Sequence, residues 1–255
     1  MESIRAAYRL ILFVIVSVGA VLLFCLGLIV CLNKKERRIR WKNWITSRLA
    51  GIIASLMGLS MKIIGTPPQP PFFLISNHLS YIDILLFWKH LKTTFIAKSE
   101  IRKWPFFGLA ARLFGVIFIN RQNRKDINRV NKYIEENLGN DQGIILFPEG
   151  TSSKGEKVLP FKSSLLYYPA SQKLPVYYAS ISYRINGDGT KKAWKDVCWW
   201  GDMDFLSHFW GLLKIKSWTA AVHFAKSPVM HENRKELTQK LQQKLTENFI
   251  PTFRE

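Results

Sequence analysis

Residues 74–88 read LISNHLSYIDILLFW. The apolar run is broken at Asn77, His78, Ser80 and Asp83, a cluster that a membrane segment tolerates poorly and a plain core strand does not need. One arrangement accommodates both features: a buried strand at 72–76, a polar loop, and a helix over about 81–91. Ser80 followed three residues later by Asp83 has the form of a helix N-cap, which starts the helix at Tyr81 and leaves Asp83 in its first turn. His78 then stands on the loop ahead of the helix, where it can fold back onto the Asp83 carboxylate. An imidazole held this way takes a proton from an alcohol near neutral pH, and the carboxylate fixes its tautomer and stabilises the imidazolium. The alternative is structural: Asp83 caps the helix and His78 is buried and satisfied.

Outward from this stretch, short apolar runs alternate with helical ones. Strands are expected at 94–97, 116–120, 143–147, 176–183 and 217–224, and helices at 106–113, 126–138 and 163–171. In a last amphipathic helix Leu237, Leu241, Leu245 and Phe249 recur every four residues as core positions. The alternation predicts an α/β fold, a largely parallel sheet covered by helices. Ligands of such sheets gather beyond the carboxyl ends of the strands, which brings His78, Arg121 and Glu149 to one edge. At that edge FPEGTSS (147–153) offers a carboxylate, a glycine and three hydroxyls. These can orient a polyol-like headgroup, although a strand end also carries such residues as an ordinary polar turn.

Ahead of the α/β region lies an N-terminal transmembrane or interfacial helical anchor. Residues 10–32 (LILFVIVSVGAVLLFCLGLIVCL) carry no charge and are long enough to span a hydrocarbon core. A cleaved signal peptide would have a shorter apolar region followed by small residues. Six Lys and Arg lie in the flank 34–42, against Arg5 and Arg9 on the other side, so the positive-inside rule puts everything after the span in the cytoplasm. The same cluster suits an anionic leaflet. Residues 44–64 are apolar but interrupted by Arg48 and Lys62, which predicts an interfacial helix, with a second crossing as the alternative. GTPPQPP (65–71) is a stiff boundary. The expected division is therefore an anchor over 1–66 and a catalytic or binding domain over 67–255.

Composition narrows the partners. The 255 residues carry a formal net charge of +19 with 48% hydrophobic residues, which excludes a disordered chain and asks for an acidic counterpart. Nucleic acid is not expected as that counterpart, because no recognised binding motif is present and the basic residues concentrate beside the apolar segment. Cys25, Cys31 and Cys198 show no CxxC spacing and no histidine cluster, so neither zinc nor a disulfide framework is indicated. A GxSxG nucleophile elbow and a metal-ligand set at usual spacing are also absent from the sequence.

NHLSYID (77–83), GVIFINR (115–121), FPEGTSS (147–153) and LPVYYASI (174–181) resemble, in order and spacing, the four motifs of the glycerolipid acyltransferases typified by 1-acylglycerol-3-phosphate acyltransferase. The resemblance covers about residues 70–185. It implies transfer of a fatty acyl group from acyl-CoA or acyl carrier protein to a lysolipid hydroxyl, with no cofactor beyond that thioester and no metal. His78 would be the general base and Asp83 its partner. Arg121, Glu149, Gly150 and Thr151 would bind the acceptor, the arginine meeting phosphate. Pro175 belongs to the fourth motif, where acyl binding or packing is the expected role. Phosphate-accepting members often read EGTR where this chain has Ser152, so Lys162 would have to supply the missing charge. The run FPEGTSSKGEKVLPFKSSL is more similar to a branch that includes lyso-ornithine lipid acyltransferases. The expected acceptor is thus 1-acylglycerol-3-phosphate, with lyso-ornithine lipid or a non-catalytic lipid-binding role as alternatives. Lys98, Arg102, Lys103, Arg112, Arg124 and Lys125 offer a cationic face to the donor or simply to solvent.

Overall fold

The computed structural model describes residues 1–31, 34–104, 107–120, 124–139, 141–187 and 189–253. Two long helices lead, α1 (Glu2–Cys31) and α2 (Lys35–Leu56), followed by β1 (Leu59–Ile64) and β2 (Phe73–Ser76). Then come α3 (Asp83–His90), β3 (Thr93–Lys98), α4 (Phe107–Leu113), β4 (Ile117–Ile119), α5 (Arg124–Asn137) and β5 (Gly143–Leu146). The chain continues through α6 (Tyr167–Ser171), β6 (Val176–Ile185), α7 (Ala193–Asp196), α8 (Phe205–Lys214), β7 (Trp218–Phe224) and α9 (Arg234–Glu247).

The strands form one sheet in the order β1-β7-β6-β2-β5-β3-β4. From β6 to β4 all neighbours are parallel, whereas β7 runs antiparallel to β6 and carries β1 parallel to itself at the edge. The expected α/β fold with a largely parallel sheet is the fold observed. The central strands β2 and β5 are short apolar runs, buried along their whole length because both faces are covered. Leu74 and Ile145 face a core shared with α2, α3 and α8, while Phe73, Ile75, Ile144 and Leu146 face the core under α5 and α9.

The expected helix at 44–64 is corrected in two ways. The basic run at 34–42 is taken into α2, where Lys42 is buried and donates from Nζ to the Thr93 carbonyl at 3.0 Å and to Gln142 Oε1. Burial lowers the Lys42 pKa to about 7. The helix then ends at Leu56. Gly58, at φ +67°, turns the chain at a place where a Cβ would come within 2.3 Å of the Lys216 carbonyl oxygen. Residues 59–64 form β1 and pair with 218–223, so the sheet begins ahead of the expected boundary at 66/67. Six residues of backbone pairing along the free edge of β7 outweigh an apolar pattern that fits a strand as well as an interfacial helix.

α1 lies along the α/β body. Phe13 meets Phe209 edge-on at 5.1 Å, and Phe24 meets Phe114 at 5.4 Å. Arg9 donates to the carbonyls of Leu213, Ile215 and Lys216, and Arg5 to that of Lys214, filling acceptors that the end of α8 leaves open. The opposite face of α1 is apolar and exposed, including Ile11, Ile15, Val18, Leu22 and Leu26. By length and composition this helix could cross a membrane.

Candidate active site

β2 ends at Ser76, and the polar loop that follows is fastened strand by strand. The Asn77 side chain donates to the Ile181 carbonyl at 3.0 Å and accepts from the Ile181 amide at 2.7 Å, extending the β2–β6 pairing beyond its last backbone partner. The His78 carbonyl accepts from the Ser153 amide at 3.0 Å, and the Leu79 carbonyl from the Trp199 amide at 2.9 Å. The Tyr81 hydroxyl meets His208 Nδ1 at 3.0 Å, while His208 Nε2 meets the Cys198 carbonyl at 3.0 Å, which ties the loop to α8.

Within this frame His78 Nδ1 lies 2.6 Å from Asp83 Oδ2. The Asp83 side chain is 0% exposed and that of His78 is 23% exposed. A hydrogen on Nδ1, directed at the carboxylate, leaves the lone pair on Nε2. The imidazole is stacked on Phe147 at 4.2 Å with 14° between the planes, which fixes its orientation. Asp83 Oδ2 also accepts from the amides of Leu79 at 2.8 Å and Ser80 at 3.2 Å. The expected cap is therefore reversed. α3 starts at Asp83 without a side-chain cap from Ser80, because the carboxylate is the stronger acceptor and takes the loop amides itself. Asp83 Oδ1 accepts from the hydroxyl of Tyr183 on β6, a residue not singled out in the sequence. Its only local signal is the alternation Ala179, Ile181, Tyr183, which places a hydroxyl on an apolar face.

The second block joins the first through Ser153. Gly150, at φ +76°, makes the turn that closes with its amide on the Phe147 carbonyl at 3.1 Å. Glu149 is 3% exposed, and among the described residues neither of its oxygens has a partner in full hydrogen-bond geometry, the backbone of Leu159 and His78 being its nearest donors. Burial pushes its pKa up to about 8, the neighbouring backbone of Leu159 and His78 pulls it back in part, and the Asp83 charge adds to the rise. Glu149 is thus a largely neutral acid at pH 7, close enough to feel the Asp83 charge. Thr151 is exposed, Ser152 half-buried, and Lys162 exposed with its amide on the Pro148 carbonyl at 2.9 Å. His78, Asp83, Glu149 and Gly150 are brought together, and Thr151 and Lys162 flank them on the surface. Arg121 lies outside the described residues, as do the side chains of Arg124 and Lys125. Among the described residues no three His, Cys, Asp or Glu side chains gather around a common metal position.

This geometry can be set beside known proteins. The acyltransferase family profile matches residues 62–182. A lyso-ornithine lipid O-acyltransferase of Rhizobium meliloti is 30% identical over 244 residues, covering 91% of this chain and 82% of that protein. The chain belongs to the acyltransferase family. A second relative of this acyltransferase, the 1-acyl-sn-glycerol-3-phosphate acyltransferase of Neisseria meningitidis serogroup B, is 31% identical over 178 residues, covering 68% of this chain and 67% of the relative. Among solved structures, the 1-acyl-sn-glycerophosphate acyltransferase PlsC of Thermotoga maritima has the same fold, with a TM-score of 0.66 at 20% identity over 97% of this acyltransferase and 98% of that chain.

Proposed function

We propose that this acyltransferase moves a fatty acyl group from a thioester, acyl-CoA or acyl carrier protein, to the hydroxyl of a lysolipid. The observation that carries the reading is the His78–Asp83 pair: an imidazole oriented by a buried carboxylate, with Nε2 unpartnered among the described residues, at the carboxyl edge of a parallel sheet. Nε2 takes the acceptor hydroxyl proton as the oxygen attacks the thioester carbonyl. The tetrahedral adduct then expels the thiolate, and the imidazolium returns the proton to sulfur. Glu149 and Gly150 shape the floor and turn beside this base, while Thr151 and Lys162 supply polar contacts at its mouth. Exposed Lys98, Arg102, Lys103 and Arg112 give the donor side a positive rim that suits the phosphates of CoA or an acidic carrier protein.

Two features bear on the acceptor. Ser152 stands where a phosphate-binding arginine is expected, and the first relative, matched over most of both chains, is a lyso-ornithine lipid O-acyltransferase. Both favour lyso-ornithine lipid over 1-acylglycerol-3-phosphate. The reaction takes place at a membrane, with α1 as the anchor and the α/β body in the cytoplasm. Because both ends of α1 rest on that body, an anchor lying in one leaflet is preferred over the crossing that the charge count suggests. Vesicles holding the protein, a labelled acyl thioester and equal amounts of the two lysolipids test the choice. Label in the ornithine lipid supports the reading, and label confined to phosphatidic acid overturns it.

A further inference from the structure

Asp83 accepts four hydrogen bonds, three at Oδ2 from the loop that carries His78 and one at Oδ1 from Tyr183, a hundred residues further along the chain. We propose that Tyr183 is a positioning residue that tunes His78 through Asp83. Its hydroxyl draws charge from the carboxylate, so that Asp83 orients the imidazole without stabilising the imidazolium so strongly that the base is lost. The inference rests on His78 being the general base of the proposed reaction.

The hydroxyl is placed for this from every side. The Tyr183 ring meets Trp218 edge-on at 5.5 Å, its amide donates to Thr252 Oγ1 at 2.9 Å, and the β6–β7 ladder sets it opposite Ala220. Burial first, and then the Asp83 charge, hold the phenol in its protonated form, a permanent donor. Among the described residues the other titratable groups around Asp83 and Tyr183 are the Cys198 thiol, the Tyr81 hydroxyl and Glu149. Burial keeps the first two protonated and holds Glu149 up to about 8. Among the described residues Asp83 therefore faces neutral groups apart from His78, and each hydrogen bond it accepts lessens the charge that reaches the imidazole. Removing only the Tyr183 hydroxyl leaves a more basic carboxylate against an unchanged ring.

The test is Tyr183→Phe in the full-length protein in vesicles. The acid limb of kcat/KM is expected to move up by about one pH unit. Activity then falls about tenfold on the acid side and is regained at higher pH. A 3,5-difluorotyrosine placed at position 183 by stop-codon suppression is a stronger donor of nearly the same size and is expected to move the limb down. It carries the test if Tyr183→Phe does not fold. The same displacements are read without turnover from the ring resonances of isotope-labelled His78, assigned by their loss in His78→Gln. A uniform loss at all pH values, with the His78 titration unmoved in both variants, would make Tyr183 a packing residue and overturn the inference. A moved titration in a protein that transfers no acyl group would instead overturn the proposed reaction and leave the tuning intact.

Discussion

Two carboxylates lie side by side in this site with opposite surroundings. Asp83 accepts four hydrogen bonds, whereas among the described residues Glu149 has no donor in full hydrogen-bond geometry and is raised to about 8 by burial. The consequence for stability follows from the sign of that rise. Below about pH 4.5 both folded and unfolded chains hold the Glu149 proton, and its ionisation contributes no difference between them. As pH rises toward 8 the unfolded chain ionises and the folded one does not, so stability is lost across that window. Glu149→Gln removes the dependence. Its stability relative to the parent is expected to grow between pH 4.5 and 8 and then level, with a ceiling of ~5 kcal/mol. Thermal unfolding of both proteins at pH 5 and 8.5 checks this, and a difference that does not change with pH would show Glu149 to be ionised in the fold.

At the scale of elements, what was legible in the sequence is what local pattern determines. The runs that became β2 and β5 were readable because buried parallel strands are continuous apolar segments bounded by polar residues, and those of β3 and β6 because each holds a short apolar or aromatic run of strand length. His78, Asp83 and Glu149 were readable because each follows such a strand within a few residues. Pairings across the chain were not readable. LSMKII at 59–64 becomes a strand only because β7 offers its edge, and Tyr183 reaches Asp83 only because β6 lies beside β2. Nor did the tryptophan-rich stretch before β7 announce α8, whose last carbonyls are held by Arg5 and Arg9. That clamp makes a prediction: Arg9→Leu leaves the carbonyls of 213, 215 and 216 without their donor. Chemical denaturation is expected to show a loss of about 2 kcal/mol, and α1 should become the earliest site of proteolytic cleavage. Equal stability and an unchanged cleavage pattern would make the contacts incidental.

For the whole molecule, a net charge of +19 and a helix with one exposed apolar face are compatible with an anionic lipid surface as the site of the proposed reaction, the exposed face of α1 being the part that would enter it. Ile15→Lys combined with Leu22→Lys alters only exposed positions of α1. It is expected to reduce flotation with anionic vesicles at least tenfold while the unfolding temperature stays within a degree or two of the parent's. Retained flotation would place the membrane contact elsewhere. The central claim, that an imidazole oriented by a buried carboxylate drives acyl transfer, is tested most directly by the rate of His78→Ala. The assay uses vesicles with a lysolipid acceptor that the parent protein acylates, and circular dichroism confirms the fold. Removal of a general base is expected to lower kcat by about 10²–10⁴ on the pH plateau above the acid limb, where the parent imidazole is unprotonated. A folded His78→Ala protein that transfers the acyl group at the parent rate would contradict the account.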